Sequence, residues 1–195
     1  MLMESLHNYL NRYISTPISK EEFEVIKSHF TPKKIKKRQF FLVEGEISKH
    51  FAFILKGAMR KYYVDDKGKE HTTNLFVENW WVSDRESFVM STPSIYNIDA
   101  WEDCEILLIS KESLAKLLNK SQAFNEMILK LDERNNIATQ KRITSTISAT
   151  AKVRYDDFVT SYPEFLQRFP QHLIASYLGI TKDTLSRIRK QTVHK

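Results

Sequence analysis

The segment Gln171–Lys190, QHLIASYLGITKDTLSRIRK, constrains this chain more than any other stretch. Helical apolar spacing on both sides of a single glycine predicts a helix, a tight turn and a second helix. Ala175 falls where two such helices cross closely, and Gly179 falls at the turn, where a left-handed backbone costs least for glycine. Ile174, Leu178, Ile180, Leu185 and Ile188 take the inward spacings. Thr181 is placed to cap the second helix, and Asp183 suits the positive end of its dipole. The outward set is Lys182, Asp183, Thr184, Ser186, Arg187, Arg189 and Lys190: hydroxyls and cations, the groups that meet phosphates and guanine edges. A plain helical hairpin with a solvated basic face would share the cations but not the small residue, glycine and apolar pattern together. The segment is therefore read as a helix-turn-helix for double-stranded DNA.

The charge distribution agrees. The net charge is +6, and from Ala149 onward eight Lys/Arg stand against four Asp/Glu, so +4 of it lies there. A positive field concentrated at one end favours a polyanionic partner. Cys104 is the only cysteine, which excludes an intrachain disulfide and a cysteine-held cluster within one chain. The six histidines are scattered, so no metal and no cofactor is expected. Glu4, Asn8, Asn11 and Arg12 interrupt the N-terminal apolar residues, and no apolar run nears the roughly 20 residues of a membrane span. A cytoplasmic protein without membrane association is expected.

Along the chain, Leu2, Leu6, Leu10 and Ile14 predict a short amphipathic helix. Ser19 and Glu22 form a capping-box pattern before Phe23, Ile26 and Phe30, and Pro32 closes that second helix. From Lys33 to Glu105 the texture turns to Phe, Tyr, Val and Ile, punctuated at Gly45, Gly57, Asp65–Gly68 and Pro93. Such spacing predicts successive short antiparallel strands closing into a small roll, with Asp65–Gly68 the clearest hairpin turn. Trp80, Trp81, Phe88 and Tyr96 are assigned to the roll core, and the run Lys33, Lys34, Lys36, Lys37, Arg38 to a guarded strand edge. Lys111 to Leu118 predicts a helix, and Phe124 to Ile147 holds neither Gly nor Pro. Phe124, Ile128, Leu131 and Ala138 share a stripe there, interrupted by polar residues from Asp132 to Asn136; a dimer seam and a helix packed on its own domain both remain open. Ala149 to Ser161 predicts another helix, and Leu166–Phe169 a short strand or wing.

This order of elements resembles the Crp/Fnr family of bacterial transcription regulators over nearly the whole chain. Gly45–Gly57 carries the two-glycine spacing of the family's cyclic-nucleotide-binding roll, departing from it at Ser48 and Ala52, and Gly179–Lys190 is similar to its recognition helix. The resemblance implies an α+β protein: an antiparallel, jelly-roll-like β-roll sensor domain with N-terminal helices over 1–122, a long dimerisation helix over 123–148 and a C-terminal winged helix-turn-helix domain over 149–195. It implies a homodimeric, sequence-specific transcription regulator. Base-reading positions carried over residue by residue are Lys182, Asp183 and Arg187, with Thr181 and Thr184 at phosphate-contacting positions; Lys190 joins them as a cation of the same face. Lys182 and Asp183 stand where Arg and Glu are usual, so the preferred DNA sequence is expected to differ.

The effector site is where the chain departs most from this family. There a glycine–glutamate pair holds phosphate and ribose, followed about ten positions later by an arginine and a small hydroxyl residue. Here Ser83 and Asp84 occupy the pair, Ser94 the arginine position and Ile95 the hydroxyl position, while Arg85 has no assigned role. Burying a phosphate without a cation is costly, so a response to cyclic AMP is not expected and any small-molecule effector is of unknown identity. No catalytic residue is assigned: nucleophile elbow, phosphate loop and zinc motif are missing from the sequence, and a cupin-like enzyme would need more ligands in the roll than His50 and His71. The alternative to a DNA-binding regulator is a small-molecule sensor whose helical end docks a protein.

Overall fold

The computed structural model describes residues 3–193. Its elements fall into two compact units, Met1–Lys61 with Phe76–Arg134, and Tyr62–Leu75 with Asn135–Lys195. The helix that follows the roll contributes to both.

In the first unit, α1 (Glu4–Asn11) and α2 (Lys20–Ser28) precede β1 (Thr31–Ile35), β2 (Phe40–Leu42), β3 (His50–Lys56) and the start of β4 (Met59–Val64). After β5 (Glu70–Phe76) come β6 (Trp81–Val82), α3 (Arg85–Met90), β7 (Asn97–Ala100), β8 (Cys104–Ser110), α4 (Lys111–Lys120) and α5 (Gln122–Ser148). The strands form two antiparallel sheets, ordered β1-β8-β3-β6 and β2-β7-β4-β5. Alternation along β3 and β8 explains the near-continuous apolar runs of the sequence. Ala52, Ile54, Ile106 and Leu108 join Ile35, Leu42, Met59 and Ile98 in one core cluster, between the sheets. Phe51, Phe53, Leu107 and Ile109 join Leu6, Leu10, Ile26, Phe30, Phe124, Met127 and Leu131 in another, beneath the helices. A strand buried on both faces has no polar face to show, so it reads as a solid hydrophobic block.

Local chemistry fixes the joints. Ser19 accepts from the Glu22 amide at 3.1 Å as the capping pattern predicts, but the Glu22 carboxylate accepts from Ser121 Oγ at 2.6 Å and ties α2 to the start of α5. Gly57 has φ +98°, and a Cβ there would lie 2.5 Å from the Asp103 carbonyl oxygen, so the β3–β4 turn admits no side chain. Trp81 and Phe88 are core, as expected, and Trp80 packs against it. The basic run lies along and just beyond β1, the end strand of its sheet, where Lys34 pairs with Glu105 at 3.3 Å and Lys36, after the strand, with Asp103 at 3.1 Å. Leu2, part of the predicted first helix, lies outside the described residues.

In the second unit, the Asp65 carboxylate accepts from the amides of Lys67 (3.0 Å) and Lys69 (2.9 Å) and closes the β4–β5 hairpin turn. It also lies 2.7 Å from His71 Nε2, and that hydrogen bond, with the Lys69 amide, lowers its pKa. The unit continues through α6 (Ala151–Ser161), α7 (Phe165–Arg168), α8 (Gln171–Tyr177) and α9 (Lys182–Val193). Its core gathers Tyr155, Phe158, Phe165, Phe169, Leu173, Ile174, Leu178, Leu185 and Ile188. Leu166–Phe169, expected as a strand or wing, is helical instead. Phe165 and Phe169 stand one turn apart and are both buried, and no strand follows Ser110 among the described residues.

The stripe expected to form a dimer seam on α5 divides. Phe124 and Leu131 are buried in the first unit's own core and Ile128 packs against it, so they are not free for a partner; Ala138 is exposed.

Candidate nucleic-acid interface and effector site

Helix α8 ends in a closed turn. Gly179 takes φ +66°, the Ile180 amide donates to the Ala175 carbonyl at 3.0 Å, and the Gly179 amide donates to Ser176 at 3.0 Å. This reciprocal pair satisfies the last carbonyls of α8 and aims the chain into α9. Thr181 then caps α9: its Oγ1 accepts from the Thr184 amide at 3.1 Å and lies 2.9 Å from Thr184 Oγ1. With Leu185 and Ile188 buried, Thr181, Lys182, Asp183, Arg187, Arg189 and Lys190 are exposed and Thr184 is half-buried. None of Lys182, Arg187, Arg189 and Lys190 makes an ion pair among the described residues. Cations left without internal partners give this face an uncancelled positive potential.

A residue that the sequence did not single out organises the same unit. Arg142 of α5 donates to the Thr73 carbonyl on β5 and to the Tyr177 carbonyl at 3.3 Å, and its guanidinium lies 4.2 Å from the Tyr177 ring centroid. Beside it, Ser176 Oγ accepts from the Thr72 amide at 2.8 Å and lies 3.4 Å from the Glu70 carbonyl. The β5 edge and the end of α8 are thus joined by backbone groups that one guanidinium and one hydroxyl satisfy. An arginine in an exposed, polar helix carries no sequence signal for such a role.

The five residues expected at the effector site are only partly gathered. Ser83 is buried, with its Oγ 3.3 Å from the His50 carbonyl and 3.2 Å from Ser48 Oγ. Ser87 Oγ accepts from the Ser48 amide at 2.8 Å and donates to the Thr92 carbonyl at 2.6 Å. Ser94 is buried, and its Oγ is spent on the Tyr96 amide (3.0 Å) and carbonyl (3.1 Å). Ile95 is exposed. Arg85 makes a two-pronged pair with Asp132 of α5, at 2.6 and 2.8 Å, and that partner holds its pKa up. Asp84 is buried at the start of α3 and makes no side-chain cap. Among the described residues, no three His, Cys, Asp or Glu are grouped to hold a metal ion, and no helix is long and apolar enough to cross a membrane.

Residues 32–121 match the family described as cyclic nucleotide-binding domain. The match covers the roll from β1 to the end of α4, and the Crp/Fnr resemblance read from the sequence is borne out. Among solved structures the chain is similar to FixK2 from Bradyrhizobium japonicum, with 18% identity, 83% of each chain covered and a TM-score of 0.69. It is also similar to a CooA mutant from Carboxydothermus hydrogenoformans, with 17% identity, 85% of this chain and 77% of that one covered and a TM-score of 0.69. The catabolite activator protein of Thermus thermophilus shares 18% identity over 91% of this chain and 84% of its own, with a TM-score of 0.55. At these identities the likeness is one of fold. The comparison with curated proteins finds no match. Within the matched stretch, the hydroxyls of Ser83, Ser87 and Ser94 are all engaged within the chain.

Proposed function

We propose that this chain is a homodimeric, sequence-specific DNA-binding transcription regulator of the Crp/Fnr type that does not respond to cyclic AMP. The observation that carries the reading is the exposed face of α9. It presents Thr181, Lys182, Asp183, Thr184, Arg187 and Lys190 from a helix locked to α8 by a closed glycine turn. Arg187 is assigned to a guanine edge, Lys182 and Asp183 to neighbouring bases, and Thr181, Thr184 and Lys190 to phosphates. Selection on random duplex DNA should return a two-fold motif, and affinity should fall steeply with salt as counterions are released. A shallow salt slope and no enriched motif would favour docking to a protein instead.

The dimer seam is assigned to the opposite side of α5 from the one that packs on the roll. Leu129, Ile143 and Ile147 are 63%, 54% and 81% exposed. With Asn136 and Gln140 they fall within an arc of roughly 60° at 3.6 residues per turn. Apolar ends around a polar centre resemble a coiled-coil seam in which buried amides set the register.

Charge argues against cyclic AMP. Ser94 supplies no cation, and Arg85 is held by Asp132. Calorimetric titration with cyclic AMP and cyclic GMP should show no binding at micromolar concentration; binding there would restore the nucleotide reading.

A further inference from the structure

A cavity of ≈ 410 Å³ opens between β2 and the start of β3. Small-molecule sites occupy roughly 300–1,000 Å³, so it is large enough to be one. Phe41, Leu42 and Ile47 supply an apolar wall, and Glu46, Lys49 and His50 supply polar groups. None of Ser83, Asp84, Arg85, Ser94 and Ile95 lines it, so it is not the effector position read from the sequence. Local hydrogen bonds build it. The Glu46 amide donates to the Val43 carbonyl at 3.0 Å, and Glu46 Oε2 accepts from the Val43 amide at 3.2 Å, closing a tight turn around Gly45. The Ser94 amide donates to the Glu46 carbonyl at 2.8 Å, and the Ser48 amide to Ser87 Oγ at 2.8 Å, which pins the segment on either side of Ile47.

Two opposite charges line this cavity without meeting each other. Among the described residues neither Glu46 nor Lys49 makes an ion pair, although only three positions separate them. One Glu46 oxygen is taken by the Val43 amide and the other is free. His50 is half-buried, and the hydroxyls that bond to it, from Ser48 and Ser83, reach its carbonyl and not its ring. Burial, then the charges of Lys33 and Lys49, lowers its pKa, so the ring is neutral at pH 7 and offers one N–H. On an open surface such charges would simply be solvated. Here a carboxylate, an ammonium and an imidazole converge on one cavity beside three apolar side chains.

We propose that this cavity binds an apolar α-amino acid as its zwitterion. The ligand's ammonium donates to the free Glu46 oxygen, and its carboxylate accepts from Lys49 and from the His50 ring N–H. Its side chain lies on Phe41, Leu42 and Ile47. A simple amine or a simple carboxylate satisfies one end of this arrangement and leaves the other unmatched. The site does not depend on the DNA-binding reading.

The test is calorimetric titration of the full chain without DNA, using L-phenylalanine and L-leucine as probes. Phenethylamine, 3-phenylpropanoate and glycine each lack one of the three matched features. At least one of the two amino acids should bind with a Kd below about 1 mM, and the three comparison compounds about tenfold or more weakly. Glu46→Gln and Lys49→Met should each weaken binding about tenfold or more. Both side chains are exposed, so the melting temperatures of these variants should stay within about 1 °C of the parent's. If either substitution disturbs the turn, phenethylamine and 3-phenylpropanoate read the same two charges from the ligand's side. In proton NMR the His50 ring signal, identified by its loss in His50→Gln, should move during the titration. Absence of binding by both amino acids at about 10 mM would overturn the site. So would equal affinity in the parent and both charge variants, a single-charge compound binding as tightly as L-phenylalanine, or binding that leaves the His50 signal in place.

Discussion

Replacing Arg142 by Gln should loosen the β4–β5 hairpin and the end of α8 together, although the two are more than 90 residues apart in sequence. The guanidinium donates to two carbonyls, at Thr73 and Tyr177, and stacks on Tyr177. Hydrogen bonds from a charged donor are worth about 1.5–3 kcal/mol each, and a cation over an aromatic face about 0.5–2 kcal/mol. Arg142 is only half-buried, so water can replace part of what is lost, and contacts of one side chain do not add fully. A local cost of about 2–3 kcal/mol follows, which is about a 30- to 160-fold rise in opening equilibrium. Amide hydrogen exchange reads this directly. The Thr72 amide, bonded to Ser176 Oγ, and the Leu178 amide, bonded to the Ile174 carbonyl, should both accelerate by that factor. Amides of β3 and β8 should not change. Arg142→Lys should recover part of the protection, since an ammonium reaches one carbonyl but cannot fork between two. Unchanged exchange at Thr72, or acceleration at α8 without the hairpin, would refute the shared role.

On α5, Ile143→Glu or Ile147→Glu should leave a folded monomer by light scattering. Leu131→Glu, at a position 9% exposed in the roll's own core, should instead unfold the first unit in thermal denaturation. Arg187→Ala should keep the melting temperature and flatten the selected DNA motif, at about 1–3 kcal/mol per half-site. Cys104 is buried, and burial followed by the Glu102 charge raises its thiol to about 12. The thiolate is therefore scarce below that pH, and a thiol reagent at neutral pH should label the chain only after denaturation; rapid labelling of the native protein would show that the β7–β8 turn opens.

The helix-turn-helix was legible because its determinants are local. Gly179, Thr181 and Ala175 each answer a steric or hydrogen-bonding demand within a few residues, and the structure meets each demand at that position. The roll was legible for a related reason: turn residues recur at strand spacing, and β3 and β8 are apolar blocks that only a two-sided core explains. Leu166–Phe169 was misread because a four-residue segment between Pro163 and Pro170 is too short to show a period. Its helix is set by Phe165 and Phe169 facing one core, which a strand would send to the same face with a different reach. Helix α3 left no signal for the same reason, being six residues long. The effector cassette was readable as a set of residue types but not as a set of partners. Nothing in the sequence shows that Arg85 is held by Asp132, 47 positions away, or that each serine is already bonded.

Helix α5 shows why a sequence stripe can be real and still misassigned. Phe124, Met127, Ile128 and Leu131 centre on one face, buried in or packed against the first unit's core; Leu129, Asn136, Gln140, Ile143 and Ile147 centre on another, roughly 140° around the helix at 100° per residue. Two apolar faces that far apart nearly cancel in any single-stripe test, so the heptad looks poor although both halves of the helix have a definite inward side. The first face ends near Leu131, where the roll's core ends, and most of the second begins beyond it. Ile147, 81% exposed one turn from the exposed Ile143, forms an apolar patch that the proposed dimer would cover. The polar stretch from Asp132 to Asn136 is then the changeover between the two faces: Asp132 turns back to hold Arg85, and Asn136 lies on the exposed second face. On the proposed dimer, the interruption that argued against a coiled coil is the point at which α5 stops packing on its own roll and would meet a second copy.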